Sequence, residues 1–415
     1  MITRIQALHY RCLRFVDRPM GPFHVLVGPN ASGKSTFLDV IAFLGQMVSE
    51  GLQGAIEERT RNFQDLTWRR QGSEFELAVE AAIPAEFRGR LEDPKFDTVR
   101  YEVGVRWDAG IQEIGLSTER VSFKSAIEEE EPQRDLFPSP LSPPSTILQK
   151  KNFKGARLVV HKVSGGNDNF YAETGKSYNP SFKLGPGKSA LGNLPADEAA
   201  FPVANWFRRF LAEGVQPVFL DSWLLRQASR PGQGKRFKPD GSNLPWVVEH
   251  LHGSDTSRFQ EWVGHLRTAL PDLEDVRVVQ REDDKHAYLV LCYRDALQVP
   301  SWMASDGTLR LLALTLPAYL PELRGVYLVE EPENGIHPKA VETVFQSLSS
   351  VYEAQVLLAS HSPVVLSQVK PGQVLCFAKD GMGATDIIPG DKHPALREWQ
   401  GIPHFNVLFA AGVLS

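Results

Sequence analysis

The chain has 415 residues, 42% of them hydrophobic and 23% charged, with a formal net charge of −5. That balance fits a globular protein and excludes a whole-surface attraction for nucleic acid, so any such binding needs a local basic patch. Cys12, Cys292 and Cys376 stand far apart, which excludes a disulfide framework and a cysteine-rich zinc site.

The first residues, Met1 to Ile5, open directly into a strand-like alternation with no signal-peptide pattern. The most apolar run, Leu309 to Leu320, is broken by Arg310 and Pro317 and is too short to cross a bilayer. A reducing, cytoplasmic setting with no membrane partner is expected.

Residues 2–8 and 23–27 read as two strands. Between them, His9 to Phe15 fits either a charged hairpin turn or a turn that brings Tyr10 or Arg11 beside a bound nucleotide. The second strand runs into Gly28-Pro29-Asn30-Ala31-Ser32-Gly33-Lys34-Ser35-Thr36, and an apolar, helix-like stretch follows at 37–44. Strand, glycine-rich turn and helix is the setting that G-x-x-x-x-G-K-[ST] requires of a phosphate-binding loop. Gly28 and Gly33 let the backbone bend so that successive N–H groups converge on phosphate oxygens. The helix N-terminus adds a partial positive charge. Lys34 would neutralise the β- and γ-phosphates, and the Ser35 hydroxyl would ligate Mg²⁺. A glycine loop that merely caps a helix is the plainer alternative, and the flanking pattern argues against it.

Residues 51–71 carry Arg59, Arg61, Arg69 and Arg70 with Trp68, a solvated helix face or a basic patch for a partner. From Ser73 the period becomes two. Phe75, Leu77 and Val79 alternate with Glu74, Glu76 and Glu80; residues 99–105 and 111–123 continue in the same way. Three half-buried strands of an antiparallel sheet are predicted. Ser125 to Ser145, with an acidic run and repeated prolines, reads as a mobile linker or a surface excursion. Further on, a hairpin is predicted around Gly165-Gly166-Asn167, helices over 201–211, 244–251 and 257–270, and a strand pair over 276–280 and 287–293. Arg226 to Lys238 is basic and glycine-rich, a surface loop or a phosphate-contacting one.

Chemistry resumes at Ser305-Asp306-Gly307-Thr308, ahead of an apolar helical run. Ser305 and Asp306 are good helix caps, which would explain them without further function. Val326 to Val329 then forms a buried-strand pattern ending in Glu330-Glu331-Pro332-Glu333. A hydrophobic strand that delivers two carboxylates at its C-terminal edge is the acidic half of a phosphate-loop ATPase. Alternation points the two differently, so Glu330 is assigned to metal and Glu331 to the base that activates water. A two-metal nuclease cluster of Glu330, Glu331, Glu333 and Asp306 is the competing reading. A further strand, 355–359, ends in Ser360-His361-Ser362, one crossover helix after the acidic strand, where His361 could meet a γ-phosphate.

The ordered set GPNASGKS, ASDGTLR, VYLVEEPE, NGIHP and SHSP resembles the ABC-type ATPase heads of the RecF, SMC and OLD group. It is most similar to stand-alone bacterial ATPases called AAA family, many found in phage-defence operons. The resemblance implies an α/β fold: a P-loop ABC-type ATPase head with an antiparallel β lobe and an inserted mixed α+β region. The head would take 1–124 and 290–415, a flexible linker 125–150, and the insertion 151–289. Nucleotide would be bound by Gly28, Asn30, Ala31, Ser32, Gly33, Lys34, Ser35 and Thr36, with Arg11 beside them. Ser35 and Glu330 would hold Mg²⁺, and Lys34, Glu331 and His361 would be catalytic. Ser305, Asp306 and Gly307 would form the signature motif, Asn334 to Pro338 the D-loop, and Gln64 or Gln71 the Q-loop glutamine. Asp306 stands where the usual signature has its first glycine, and Glu330 where the acidic strand usually ends in aspartate.

No long coiled coil is expected, because proline and glycine interrupt the middle of the chain. The short stretch after His361 leaves no room for a TOPRIM domain, and Asp380, Asp386 and Asp391 look like surface-loop residues. The implied function is an ATP-driven switch whose heads pair on ATP and control a separate effector, a nuclease or toxin, in antiviral or anti-plasmid defence. A RecF-like ATPase that clamps duplex DNA is the alternative.

Overall fold

The computed structural model describes residues 1–110, 112–126, 136–149, 155–174, 179–321 and 323–396. They fall into two compact units: Met1–Val215 with the segment that begins at Pro371, and Gln216–Lys370.

The first unit opens with β1 (Ile2–Tyr10) and β2 (Leu13–Pro19), an antiparallel hairpin with Tyr10 opposite Leu13. The hairpin reading of His9 to Phe15 therefore holds, and the strand after the turn is one that the sequence pattern left unassigned. All five residues of β3 (Phe23–Val27) are buried, as a central parallel strand requires. β4 (Glu74–Ala82), β5 (Thr98–Asp108), β6 (Glu113–Lys124), β7 (Ala156–Val163), β8 (Asp168–Phe170) and β9 (Ser181–Phe182) complete an eight-stranded sheet. Its order is β2-β1-β4-β5-β6-β7-β8-β9. The predicted alternation and the Gly165 hairpin are both present, between β7 and β8 in the latter case.

One expectation is corrected. The polar face of this sheet is buried as well as the apolar one, with Glu102 only 1% exposed and Arg100 3%. Residues from the 136–149 stretch, placed in a linker by composition, lie along that face. Ile147 donates its N–H to Glu76, Gln149 donates to Glu102, and Arg100 donates to the Ile147 carbonyl. Arg100 pairs with Glu80 and Glu102 at 3.0 and 2.9 Å, and Lys124 with Glu80 at 2.7 Å. Charges survive burial when paired and hydrogen-bonded in this way.

Lys34–Glu50 forms the helix after the phosphate loop, longer than predicted, and Tyr10 packs between its Phe43 and Phe75 of β4. The helix Pro202–Gly214 crosses it so closely that a Cβ on Gly45 would lie 2.6 Å from the Leu211 carbonyl oxygen. That approach explains a glycine inside a helix, where it otherwise costs about 1 kcal/mol.

The second unit begins in β10 (Val215–Val218) and contains the antiparallel sheet β11 (Leu273–Gln280), β12 (Ala287–Tyr293) and β13 (Gln298–Pro300). The predicted helices appear as Leu244–Ser254 and Thr256–Ala269. β14 (Gly325–Glu330) and β15 (Ala354–Ala359) run parallel, Glu330 opposite Ala359, joined across the helix Pro338–Ser349. Trp262 fastens the second of those helices to Asp306–Thr315 by donating to Thr315 Oγ1 at 2.9 Å.

On returning to the first unit the chain forms β16 (Val374–Lys379), parallel to β3, and β17 (Thr385–Pro389), antiparallel to β16. Asp386, expected in a surface loop, is buried on β17 and accepts the Ser139 N–H at 2.7 Å. Among the described residues no helix is long and apolar enough to cross a membrane.

Candidate functional site

In the first unit, β3 delivers the loop and Lys34–Glu50 leaves it. Gly28 sits where a Cβ would come within 2.2 Å of the Phe377 carbonyl oxygen on β16. Gly33 has φ +107°, and a Cβ there would lie 2.4 Å from Thr385 Oγ1 and 3.1 Å from Cys12 Sγ. Both glycines are thus required by strands packed behind the loop. Thr385 pins it further, donating Oγ1 to the Ser32 carbonyl at 2.9 Å and its N–H to the Cys12 carbonyl at 3.1 Å. Ala31 takes a left-handed φ of 62°, so the loop curls over between its glycines.

The residues present fit a phosphate. Lys34 Nζ donates to the Gly28 and Pro29 carbonyls at 2.9 Å each, which holds its ammonium over the loop. Ser32 Oγ is buried with no hydrogen-bond partner. Gly33 caps the helix without a side-chain bond, and no acidic residue occupies its first turn. An anion placed there would meet an uncompensated helix N-terminus, a lysine and a spare hydroxyl. Asn30, Ala31 and Ser35 are exposed and Thr36 is half-buried.

The turn after β1 abuts the loop through Cys12, as the predicted return of the chain requires. Arg11 spends Nη1 on Asp39 at 3.1 Å, and Tyr10 donates its hydroxyl to the same carboxylate at 2.6 Å. Arg59 closes on the other oxygen at 2.7 Å. Burial, then the Asp39 charge, raises the Tyr10 pKa well above the ordinary phenol range. Arg11 is therefore anchored to the phosphate-loop helix. Gln64 and Gln71 are both exposed in the segment whose Leu66 carbonyl accepts the Arg11 N–H.

In the second unit, β14 ends in Glu330, which is exposed, and Glu331 follows in a left-handed conformation with φ 45°. The Glu331 N–H donates to the Ala359 carbonyl at 2.8 Å, which binds the turn to the end of β15. Its carboxylate accepts from Asn334 Nδ2 at 2.5 Å and lies 3.9 Å from His361 Nε2. Glu333 accepts the Ser360 hydroxyl and the His361 N–H, each at 2.8 Å. Glu331, Asn334 and His361 are thus brought together at the ends of β14 and β15.

Ser305 caps the helix Asp306–Thr315, its Oγ accepting the Thr308 N–H at 3.2 Å, so the plain capping role is met. Asp306 is gripped by Arg226 through Nε at 2.9 Å and Nη2 at 2.6 Å. A Cβ on Gly307 would fall 2.6 Å from the Gly335 carbonyl oxygen, which seats the D-loop against this helix. Asp306 and Glu333 each have these other partners, and the described residues hold no group of three or more metal-ligating side chains. Sequence reasoning missed the Arg226–Asp306 pair, the Asn334–Glu331 bond and the Thr385 brace; only a basic loop hinted at the first.

A family model for an AAA domain, whose description names the AbiEii toxin and a Type IV TA system, matches residues 23–367. A stretch of 41 residues, 10% of this chain, is 46% identical to the OLD nuclease of Thermus scotoductus (strain ATCC 700910 / SA-01), and the match spans 8% of that protein's length. An Smc head bound to the C-winged helix domain of ScpA is similar with a TM-score of 0.52 at 12% identity, over 93% of this chain and 96% of that one. An Smc head with an extended coiled coil, bound to the C-terminal domain of ScpA derived from Pyrococcus furiosus, gives 0.50 at 10% identity, over 93% and 95%. The fold is that of an ABC-type ATPase head.

Proposed function

The chain belongs to the AAA-domain family matched over residues 23–367, among the ABC-type ATPases of the RecF, SMC and OLD group, and we propose that it is an ATP-binding and ATP-hydrolysing switch. The phosphate loop carries this reading: a Cβ at Gly28 or Gly33 would clash with what packs behind it, Lys34 is held on the loop carbonyls, and the helix N-terminus has no acidic residue in its first turn. Lys34 takes the β- and γ-phosphates. Ser35 and Glu330 would hold Mg²⁺, which would supply charge neutralisation on the phosphate oxygens. Glu331, oriented by Asn334, would accept the proton of the attacking water, and His361 would act on the γ-phosphate.

In the same proposal, two copies pair on ATP, and Ser305, Asp306 and Gly307 of one close over nucleotide held by the other. Ser305 and Asp306 are exposed, and the surface beside them carries Trp302 and Met303, the latter 71% exposed. Large apolar side chains left in water beside a motif support a contact surface. The paired form controls a separate effector, a nuclease or toxin, in antiviral or anti-plasmid defence. The family's description and the short match to an OLD nuclease support that role.

Glu331→Gln tests the reading, because it removes the base and spares the fold. The variant should accumulate an ATP-bound species of twice the mass by light scattering. Wild-type hydrolysis by Glu331→Gln would remove Glu331 from the chemistry.

A further inference from the structure

The second unit contains a cleft of about 570 Å³ that shares no residue with the nucleotide motifs. Its walls are the loop after Trp223 and the β11–β12 turn around Asp284. That volume lies within the range of small-molecule sites. The two walls are tied by a reciprocal backbone bridge, Ser229 N–H to the Ala287 carbonyl at 2.7 Å and Ala287 N–H to the Ser229 carbonyl at 2.9 Å. The cleft is thus built on a strand and not on two independent loops.

Its lining is specific in chemistry. Arg230 is exposed on the cleft wall. Arg281 reaches the same space and touches Asp284 only at 3.5 Å. Ser229 is 4% exposed, and its buried hydroxyl has no hydrogen-bond partner. Trp223 leaves its indole 70% exposed at the rim, and the Gln227 amide lies on the same wall. The carboxylates present are already engaged: Asp284 by His286 and Arg281, and Asp240 by the Ser242 N–H. Two guanidinium groups answer a phosphate, a free indole answers a planar base, and an orphaned hydroxyl with an amide answers polar edges.

We propose that this cleft is a second nucleotide site, taking a free nucleoside phosphate with its phosphates on Arg230 and Arg281 and its base against Trp223. The inference is separate from the reading of the phosphate loop, and one measurement distinguishes them. Equilibrium dialysis of the full chain against labelled ADP should find two sites per chain in the wild type. Lys34→Ala should retain the cleft site alone. The pair Arg230→Ala with Arg281→Ala should retain the phosphate-loop site alone and weaken the other about 30-fold. Trp223→Leu, a change at an exposed rim, should weaken ADP at the cleft and leave pyrophosphate unaffected. One ADP per chain in the wild type, lost in Lys34→Ala, would overturn the cleft and leave the phosphate loop standing. Loss of one site in the arginine pair, with no change in Lys34→Ala, would keep the cleft and remove the other reading.

Discussion

Glu331 is held by backbone and side chain together. Its left-handed φ of 45° is costly for a residue with a Cβ, by about 1 kcal/mol, and the N–H bond to Ala359 secures it. Asn334 then fixes the carboxylate through its 2.5 Å bond. Asn334→Ala should lower kcat about tenfold while leaving nucleotide Kd unchanged, because a positioning residue acts on the base and not on the bound phosphates. An altered Kd with normal kcat would place Asn334 in binding. Lys34 offers the opposite case. Its ammonium rests on the two loop carbonyls, so Lys34→Ala should cost about 3 kcal/mol of ATP binding, two orders of magnitude in Kd by calorimetry. The type and spacing of both residues were legible in the sequence. The asparagine bond was not, because the D-loop reading of Asn334 to Pro338 carries no contact with Glu331.

At the scale of elements, the loop depends on the hairpin behind it. Gly33→Ala would force a Cβ against Thr385, whereas Gly165, also at positive φ, has nothing within 4 Å. Gly33→Ala should abolish ATP binding and lower the melting temperature, and Gly165→Ala should leave binding intact. The helix Pro202–Gly214 has a different brace. Buried Glu173 accepts the Val203 and Ala204 N–H groups at 2.7 and 2.8 Å, while burial, only partly offset by those bonds and by Arg157, pushes its pKa up to about 7. The unfolded chain releases that proton near 4.5, so the folded state keeps it longer. Stability is then greatest below the unfolded value and falls as pH rises towards 7, by up to about 3 kcal/mol. Urea unfolding from pH 5 to 8 should show that slope reduced in Glu173→Gln; an identical slope would free Glu173 of it. Period-two and helical patterns predicted β4 to β6 and the main helices, but not β16 and β17. Asp386 shows why. It pairs with Ala378 in the β16–β17 ladder, and its buried carboxylate accepts the N–H of Ser139, 247 positions earlier, a contact that no local pattern carries.

For the whole molecule, the decisive prediction concerns pairing. Ser305→Arg places a large cation at an exposed helix cap and should block ATP-dependent pairing and hydrolysis while a single chain still binds ATP. Loss of binding instead would mean that Ser305 serves its own chain. The sequence by itself determined the family, the phosphate loop, the paired carboxylates and the alternation of the large sheet, because each is written in spacings of a few residues. Tertiary structure alone decided that the polar face of that sheet is covered, that Thr385 and Phe377 require Gly33 and Gly28, and that Asp306 is held by Arg226. Those outcomes rest on contacts between residues tens to hundreds of positions apart. Burial and ion pairing at such separations follow from how the elements pack, and no local period encodes them.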